Sequence, residues 1–137
     1  MRNDLDAAGP AVEELLRFCS VLQMSIPRTA TRDQVLAGHH IAEDDTVMVS
    51  LAAANRDPRL LADGDTLDIA RTPVPHVAFG HGIHHCLGAG LARAETAIAL
   101  PALLRRFPAL RLAAPAGDIH FRPPGVFYGV QTLPVTW

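Results

Sequence analysis

The stretch that most constrains this chain is Phe79-Gly80-His81-Gly82-Ile83-His84-His85-Cys86-Leu87-Gly88, set directly ahead of a helix-forming segment. Glycines at 80, 82 and 88 remove side chains from the backbone, so a large flat ligand can lie close against it. Cys86 stands where the helix is expected to begin, and the first N–H groups of a helix have no intrahelical partner. Those donors and the helix dipole favour a negative sulfur, and a thiolate is a ready metal ligand. Phe79 offers an apolar contact, and His84 a donor for an anionic edge. One thiolate, a glycine-bared surface and a polar anchor fit an iron porphyrin held by cysteine as axial ligand. The bland alternative is a buried, inert thiol. A zinc site from His81, His84, His85 and Cys86 is the next chemistry. Adjacent His84 and His85 would point in different directions, and structural zinc sites use spaced ligand pairs. Covalent c-type haem attachment needs Cys-x-x-Cys-His, which is absent.

The rest of the chain supplies a scaffold. A length of 137 residues suits one domain, residues 1–137, with a sizeable core. Pro10 to Leu22 reads as a helix, with Pro10 in the first turn and an apolar stripe of Val12, Leu15, Leu16, Cys19 and Leu22. Ser25-Ile26-Pro27 should stop it. Cys19, on the stripe, is expected in the core. Short β pieces follow at Thr29–Leu36, His39–Ile41 and Thr46–Val49, with a turn at Glu43–Asp45. Leu51–Asn55 can form one or two helical turns, and Arg56–Pro75 is an irregular connection of the kind that is often functional. A long helix is expected over Leu87–Phe107, burying Leu91, Ala94, Ile98 and Leu103, with a kink or break at Pro101. Leu110–Leu112, Ile119–Phe121 and Thr132–Thr136 are strand-like. The order is an α+β pattern.

Composition narrows the function classes. Hydrophobic residues are 49% of the chain and charged residues 19%, which argues against disorder. The formal charge is −2, all twelve basic residues are Arg, and no basic run exists, so nucleic acid is not an expected partner. No stretch of about 20 apolar residues could cross a bilayer. The polar, acidic start Met1-Arg2-Asn3-Asp4-Leu5-Asp6 lacks the apolar core of a signal peptide. A cytoplasmic setting without a membrane partner is therefore expected, with Cys19 and Cys86 reduced. The Ala- and Arg-rich, Lys-free composition suggests a high-GC bacterial source.

The run Phe79-Gly80-x-Gly82-x-His84-x-Cys86-Leu87-Gly88 resembles the haem-binding signature of the cytochrome P450 family, with every defining position filled. Glu14-Leu15-Leu16-Arg17 resembles the family's Glu-x-x-Arg pair. Ala54-Asn55-Arg56-Asp57-Pro58, followed by Leu67-Asp68-Ile69-Ala70-Arg71, resembles the meander of bacterial soluble members, and Pro75–Gly80 resembles the run into the haem loop. The resemblance covers the chain from about Val12 to its end and concerns only the C-terminal part of a family member. The fold it implies is α+β: helix, small β-sheet, irregular meander, cysteine-ligand loop, long proximal helix and C-terminal β-hairpin.

The same resemblance implies haem b as cofactor, with Cys86 as its proximal thiolate and metal ligand. Arg28, His76 and His84 match positions at the haem propionates. Phe79, Gly80 and Gly88 complete the cofactor-binding set, with Phe79 on the proximal face beside the sulfur. Glu14 and Arg17 would form a structural ion-pair network with Arg71. Met24, Ser25, Ile26 and the turn Val126-Phe127-Tyr128 match segments bordering a substrate pocket. The activity implied is monooxygenation of a small organic substrate with O₂, using electrons from a ferredoxin-type donor. The family's distal helix with its acid–Thr pair has no counterpart in the sequence. The alternative is thus a truncated haem-binding scaffold, or half of a split enzyme, without turnover of its own.

Overall fold

The computed structural model describes residues Ala8–Trp137. Helix α1 spans Ala8–Cys19. Pro10 falls in its first turn, where a missing N–H leaves no helix bond unmade. The helix stops three residues short of the expected Leu22. Ser20 takes a left-handed backbone (φ 39°), and its Oγ donates to the Arg17 carbonyl at 2.7 Å. A left-handed residue just after the last turn is a common helix stop. Leu22 instead forms a β-bridge to Phe127.

Strands β1 (Arg28–Thr29) and β4 (Thr46–Val47) pair antiparallel, with Arg28 opposite Val47. Strands β2 (Gln34–Leu36) and β3 (His39–Ile41) form a tight hairpin. Its two-residue turn, Ala37-Gly38, has φ of 50° and 83°. Positive φ at both central residues is what a tight hairpin of matching twist requires. Helix α2 (Leu51–Ala54) is capped by Ser50, whose Oγ accepts from the Ala53 N–H. The C-terminal strands β5 (Arg111–Leu112) and β6 (Val135–Thr136) pair antiparallel, and a bridge from Phe121 to Val130 continues towards the tip. That tip docks on the chain after α1: Gln23 N–H donates to Val126 O at 2.8 Å and Tyr128 N–H to Val21 O at 2.7 Å.

Helix α3 spans Ala89–Arg106 and packs on α1. The sequence expectation for its buried stripe is corrected. Ala89 and Pro101 are the buried residues, whereas Leu91 and Ile98 are 65% and 70% exposed, and Ala94 and Leu103 are also exposed. The helix carries apolar residues on every side, so no single stripe stands out; Arg93 reaches Glu13 on α1, and Thr96 and Leu100 line a cavity. Of the kink or break expected at Pro101, a break does not occur: the helix continues through it to Arg106.

The meander from Arg56 to Pro75 is a chain of turns, as its composition suggests. Gly64 has a specific reason to be glycine. A Cβ there would sit 2.8 Å from Arg56 O and 2.9 Å from Arg56 Cα. Both neighbours are backbone and cannot swing aside. Gly64→Ala is expected to cost about 1–3 kcal/mol, the range for forced overpacking, seen as a lower urea midpoint. An unchanged midpoint would mean that this approach relaxes freely.

Candidate cofactor site and its supports

The cysteine loop is built by backbone bonds. Gly80 N–H donates to Val77 O at 2.8 Å, and Cys86 N–H donates to Phe79 O at 2.9 Å, closing the loop. Gly80 and Gly82 sit at φ of 74° and 77°, which other residues adopt only under strain. A 3₁₀ turn over Gly82–His84 carries the chain to Cys86. Helix α3 begins at Ala89 rather than Leu87, with Gly88 as its cap, so Cys86 lies just ahead of the helix. The Cys86 residue is exposed.

Cys86, Phe79, Gly80, His84 and Arg28 share one cavity of about 970 Å³, walled by apolar side chains such as Leu16, Val49 and Phe127. That set joins β1, the cysteine loop and both long helices. Ser25 and Ile26 also line it, whereas Met24, Val126 and Tyr128 do not. Neither His76 nor Gly88 lines it. A Cβ at Gly88 would lie 3.9 Å from Cys86 Sγ, which is ordinary contact. Cys19 is not a core residue: it is exposed and faces the same cavity, because α1 turns this side to the apolar wall. Desolvation there pushes its thiol up, with Arg56 acting in the opposite direction. Among the described residues no three His, Cys, Asp or Glu side chains converge as zinc would need. Among them, too, no helix is long and apolar enough to cross a membrane.

Between α1 and the meander lies a buried ionic network. Arg17 is 1% exposed and Glu14 3%. Arg17 Nε and Nη2 donate to the two Glu14 oxygens, both at 2.7 Å. Its remaining donors reach the carbonyls of Asn55 (2.9 Å), Gly64 (2.7 Å) and Thr66 (3.1 Å). All five guanidinium N–H groups are therefore used. Glu14 also accepts from Asp68 N–H at 3.0 Å and from Arg71 Nε at 3.3 Å. The Arg17 hydrogen bonds hold its carboxyl down at about 2, against the opposing effect of burial and with help from Asp68 N–H and Arg71. Arg71 pairs in turn with Asp63 at 2.8 and 2.9 Å.

Three groups escape sequence reasoning. Asn55 is buried; its Nδ2 donates to Ser20 Oγ at 2.9 Å, and its Oδ1 accepts from Val77 N–H at 2.7 Å. It ties the end of α1 to the run entering the cysteine loop. Glu13 receives Arg93 Nε at 2.6 Å and His76 Nε2 at 3.0 Å. The His76 Nδ1 accepts from Ala78 N–H at 3.2 Å, so both ring nitrogens are engaged, and the side chain is 3% exposed. Arg93 lies over the Phe79 ring, 4.7 Å from its centroid. Burial raises the Glu13 pKa, but the hydrogen bonds from Arg93 and His76 outweigh it and leave the carboxyl below its usual value. Only the adjacency of Glu13 to Glu14 could have drawn attention to it.

Comparison with known proteins follows the same lines. The family model described as Cytochrome P450 matches residues 1–113. The chain is 53% identical over 136 residues to "Cytochrome P450 165B3" of Amycolatopsis orientalis, covering 99% of this chain and 34% of that protein. It is 50% identical over 127 residues to "Pentalenic acid synthase" of Streptomyces avermitilis, covering 93% of this chain and 31% of that one. Among solved structures, the hybrid P450 OxyBtei(BC/FGvan) superposes with a TM-score of 0.92 at 54% identity, over 99% of this chain and 36% of its own. The tirandamycin C-bound monooxygenase TamI superposes with a TM-score of 0.94 at 46% identity, over 98% and 34%. The chain thus spans about a third of the length of the relatives it matches. Cysteine loop, Glu14–Arg17 network, meander and long helix follow in one order on one superposable backbone, and the chain belongs to the cytochrome P450 family, of which it forms part of the fold.

Proposed function

We propose that this chain is the haem-thiolate part of a cytochrome P450 monooxygenase acting on a small organic substrate, with Cys86 as ligand to the iron of haem b. The observation that carries this reading is the shared cavity: Cys86 on a glycine-bearing loop, an apolar wall that also includes Cys19, and Arg28 and His84 among the lining residues. Bound there, haem would supply O₂ activation, with electrons from a redox partner of the ferredoxin type, in the cytoplasm. This chain's own residues bind and orient. Arg28 and His84 present donors for two propionates, where charge-assisted hydrogen bonds are strongest. Gly80 lines the cavity without a side chain, which leaves room there for a flat macrocycle, and Gly82 lets the backbone take the positive φ that follows. Phe79 provides the apolar neighbour. His76, engaged with Glu13 and Ala78, supports the run that enters the loop.

A second reading, a haem-holding scaffold without turnover of its own, is favoured by one observation: the chain spans about a third of its relatives' length. One experiment addresses both. The chain titrated with hemin, reduced and exposed to carbon monoxide should give the red-shifted Soret band of a thiolate ligand. Cys86→Ser should abolish that band, and Cys19→Ser should leave it. A histidine-type band in the parent, or equal loss from both variants, would remove Cys86 as ligand. Substrate oxidation with a generic ferredoxin system then separates the two readings, since the scaffold reading expects none.

A further inference from the structure

The two adjacent carboxylates on α1 face different partners. Glu14 turns to the meander through Arg17 and Arg71. Glu13 meets the other side of the molecule, reaching residues 63 and 80 positions away in the chain. Its Oε1 takes Arg93 Nε at 2.6 Å, and its Oε2 takes Arg93 Nη2 at 3.2 Å and His76 Nε2 at 3.0 Å. His76 stands at the entrance to the cysteine loop, and Arg93 stands on α3, at its exit. Cys86 lies between these two arms.

We infer that Glu13 is a positioning residue for the Cys86 loop, acting on its two arms through His76 and Arg93. Each arm has a visible path. On the entry side, Glu13 fixes the His76 ring by its Nε2 proton. That leaves Nδ1 free to accept the Ala78 N–H at 3.2 Å, next to Phe79. On the exit side, the bidentate grip on Arg93 sets the guanidinium over Phe79, 4.7 Å from its centroid. A cation held there is attracted by the ring face. Phe79 O in turn accepts the Cys86 N–H at 2.9 Å. Arg93 has 36% of its side chain exposed, so without Glu13 it would find solvent and leave the ring. Asn55, which shares no bond with Glu13, holds Val77 N–H at 2.7 Å. Besides its backbone bonds, the loop therefore has two separate side-chain restraints, and Glu13 governs the one nearer the cysteine.

What this positioning serves rests on Cys86 being the haem ligand, but the positioning itself is testable without haem. Hydrogen exchange of the apo chain, resolved to single amides, provides the readout. Glu13→Gln should speed exchange at both Ala78 and Cys86 by about tenfold, the effect of losing a charge-assisted hydrogen bond. The Val77 amide and the interior of α3 should stay unchanged. Arg93→Gln should speed Cys86 alone, and Glu13→Gln added to it should then speed Ala78 but give little more at Cys86. Glu13→Asp, retaining the charge, should restore part of the protection. Faster exchange at all amides together would mean that Glu13 stabilises the fold generally, and an unchanged Cys86 amide would mean that it does not reach the loop. Either outcome overturns the inference. Failure of hemin to bind, with the predicted exchange pattern intact, would overturn the haem reading alone.

Discussion

Replacing Arg17 with methionine is expected to remove most of the stability of this chain. The side chain is 1% exposed and makes five hydrogen bonds, two to Glu14 and three to backbone carbonyls. Methionine fills much of the volume but donates nothing. Breaking one side of a buried ion pair costs roughly 3–5 kcal/mol. Each carbonyl left without a partner adds about 1 kcal/mol or more. A folded domain holds about 5–15 kcal/mol in total. The variant should therefore melt far below the parent by circular dichroism, or show no cooperative transition. Arg17→Lys keeps the charge but offers three donors around one nitrogen in place of a planar fork, and should fall between. A methionine variant that melts within a few degrees of the parent would show that the network is ornamental.

Acid should attack the same network through Glu14. Its carboxyl is held at about 2, against an ordinary value of 4.5, first by the Arg17 hydrogen bonds. The unfolded chain therefore takes up the proton before the folded one does. The stabilisation from this group is fully present above the ordinary value and disappears as pH falls to about 2. The lowered pKa corresponds to roughly 3 kcal/mol over that window. Glu13 and Asp63 are lowered as well and act in the same direction. Urea midpoints measured through the window should fall steeply for the parent. Glu14→Gln should start lower and fall less. Parallel slopes for the two would rule out Glu14 as the dominant acid-sensitive group.

How far the sequence speaks for the structure depends on whether a feature is local. The hairpin at His39–Ile41, the capped turn at Ser50 and the irregular Arg56–Pro75 stretch all follow from neighbouring residues. The stop of α1 at Cys19 does not, because it depends on Ser20 entering a left-handed conformation secured by the Arg17 carbonyl. The face of α3 was illegible for a different reason. A helix apolar on all sides gives periodicity nothing to separate, and Leu91 and Ile98 remain exposed. The Glu14–Arg17 pair, taken locally, reads as a surface ion pair; only the resemblance of its spacing to a family motif pointed inward. The roles of Glu13, Asn55 and Gly64 are not local: Glu13 offers only its adjacency to Glu14, and Asn55 only its place in the meander-like run. Their roles come from partners 63 and 80 residues away, a bridge between two loops, and the backbone of Arg56.

Arg17 grips the meander only by main-chain oxygens, those of Asn55, Gly64 and Thr66. A carbonyl is chemically the same whatever side chain hangs beside it. Mutational drift can pass through Thr66 and its neighbours without loosening the grip, while the guanidinium and the bare Cα of Gly64 stay irreplaceable. Away from Asp63, Gly64 and Arg71, whose own atoms are committed, the segment can diversify as freely as an outer loop and yet keep the rigidity of an interior one.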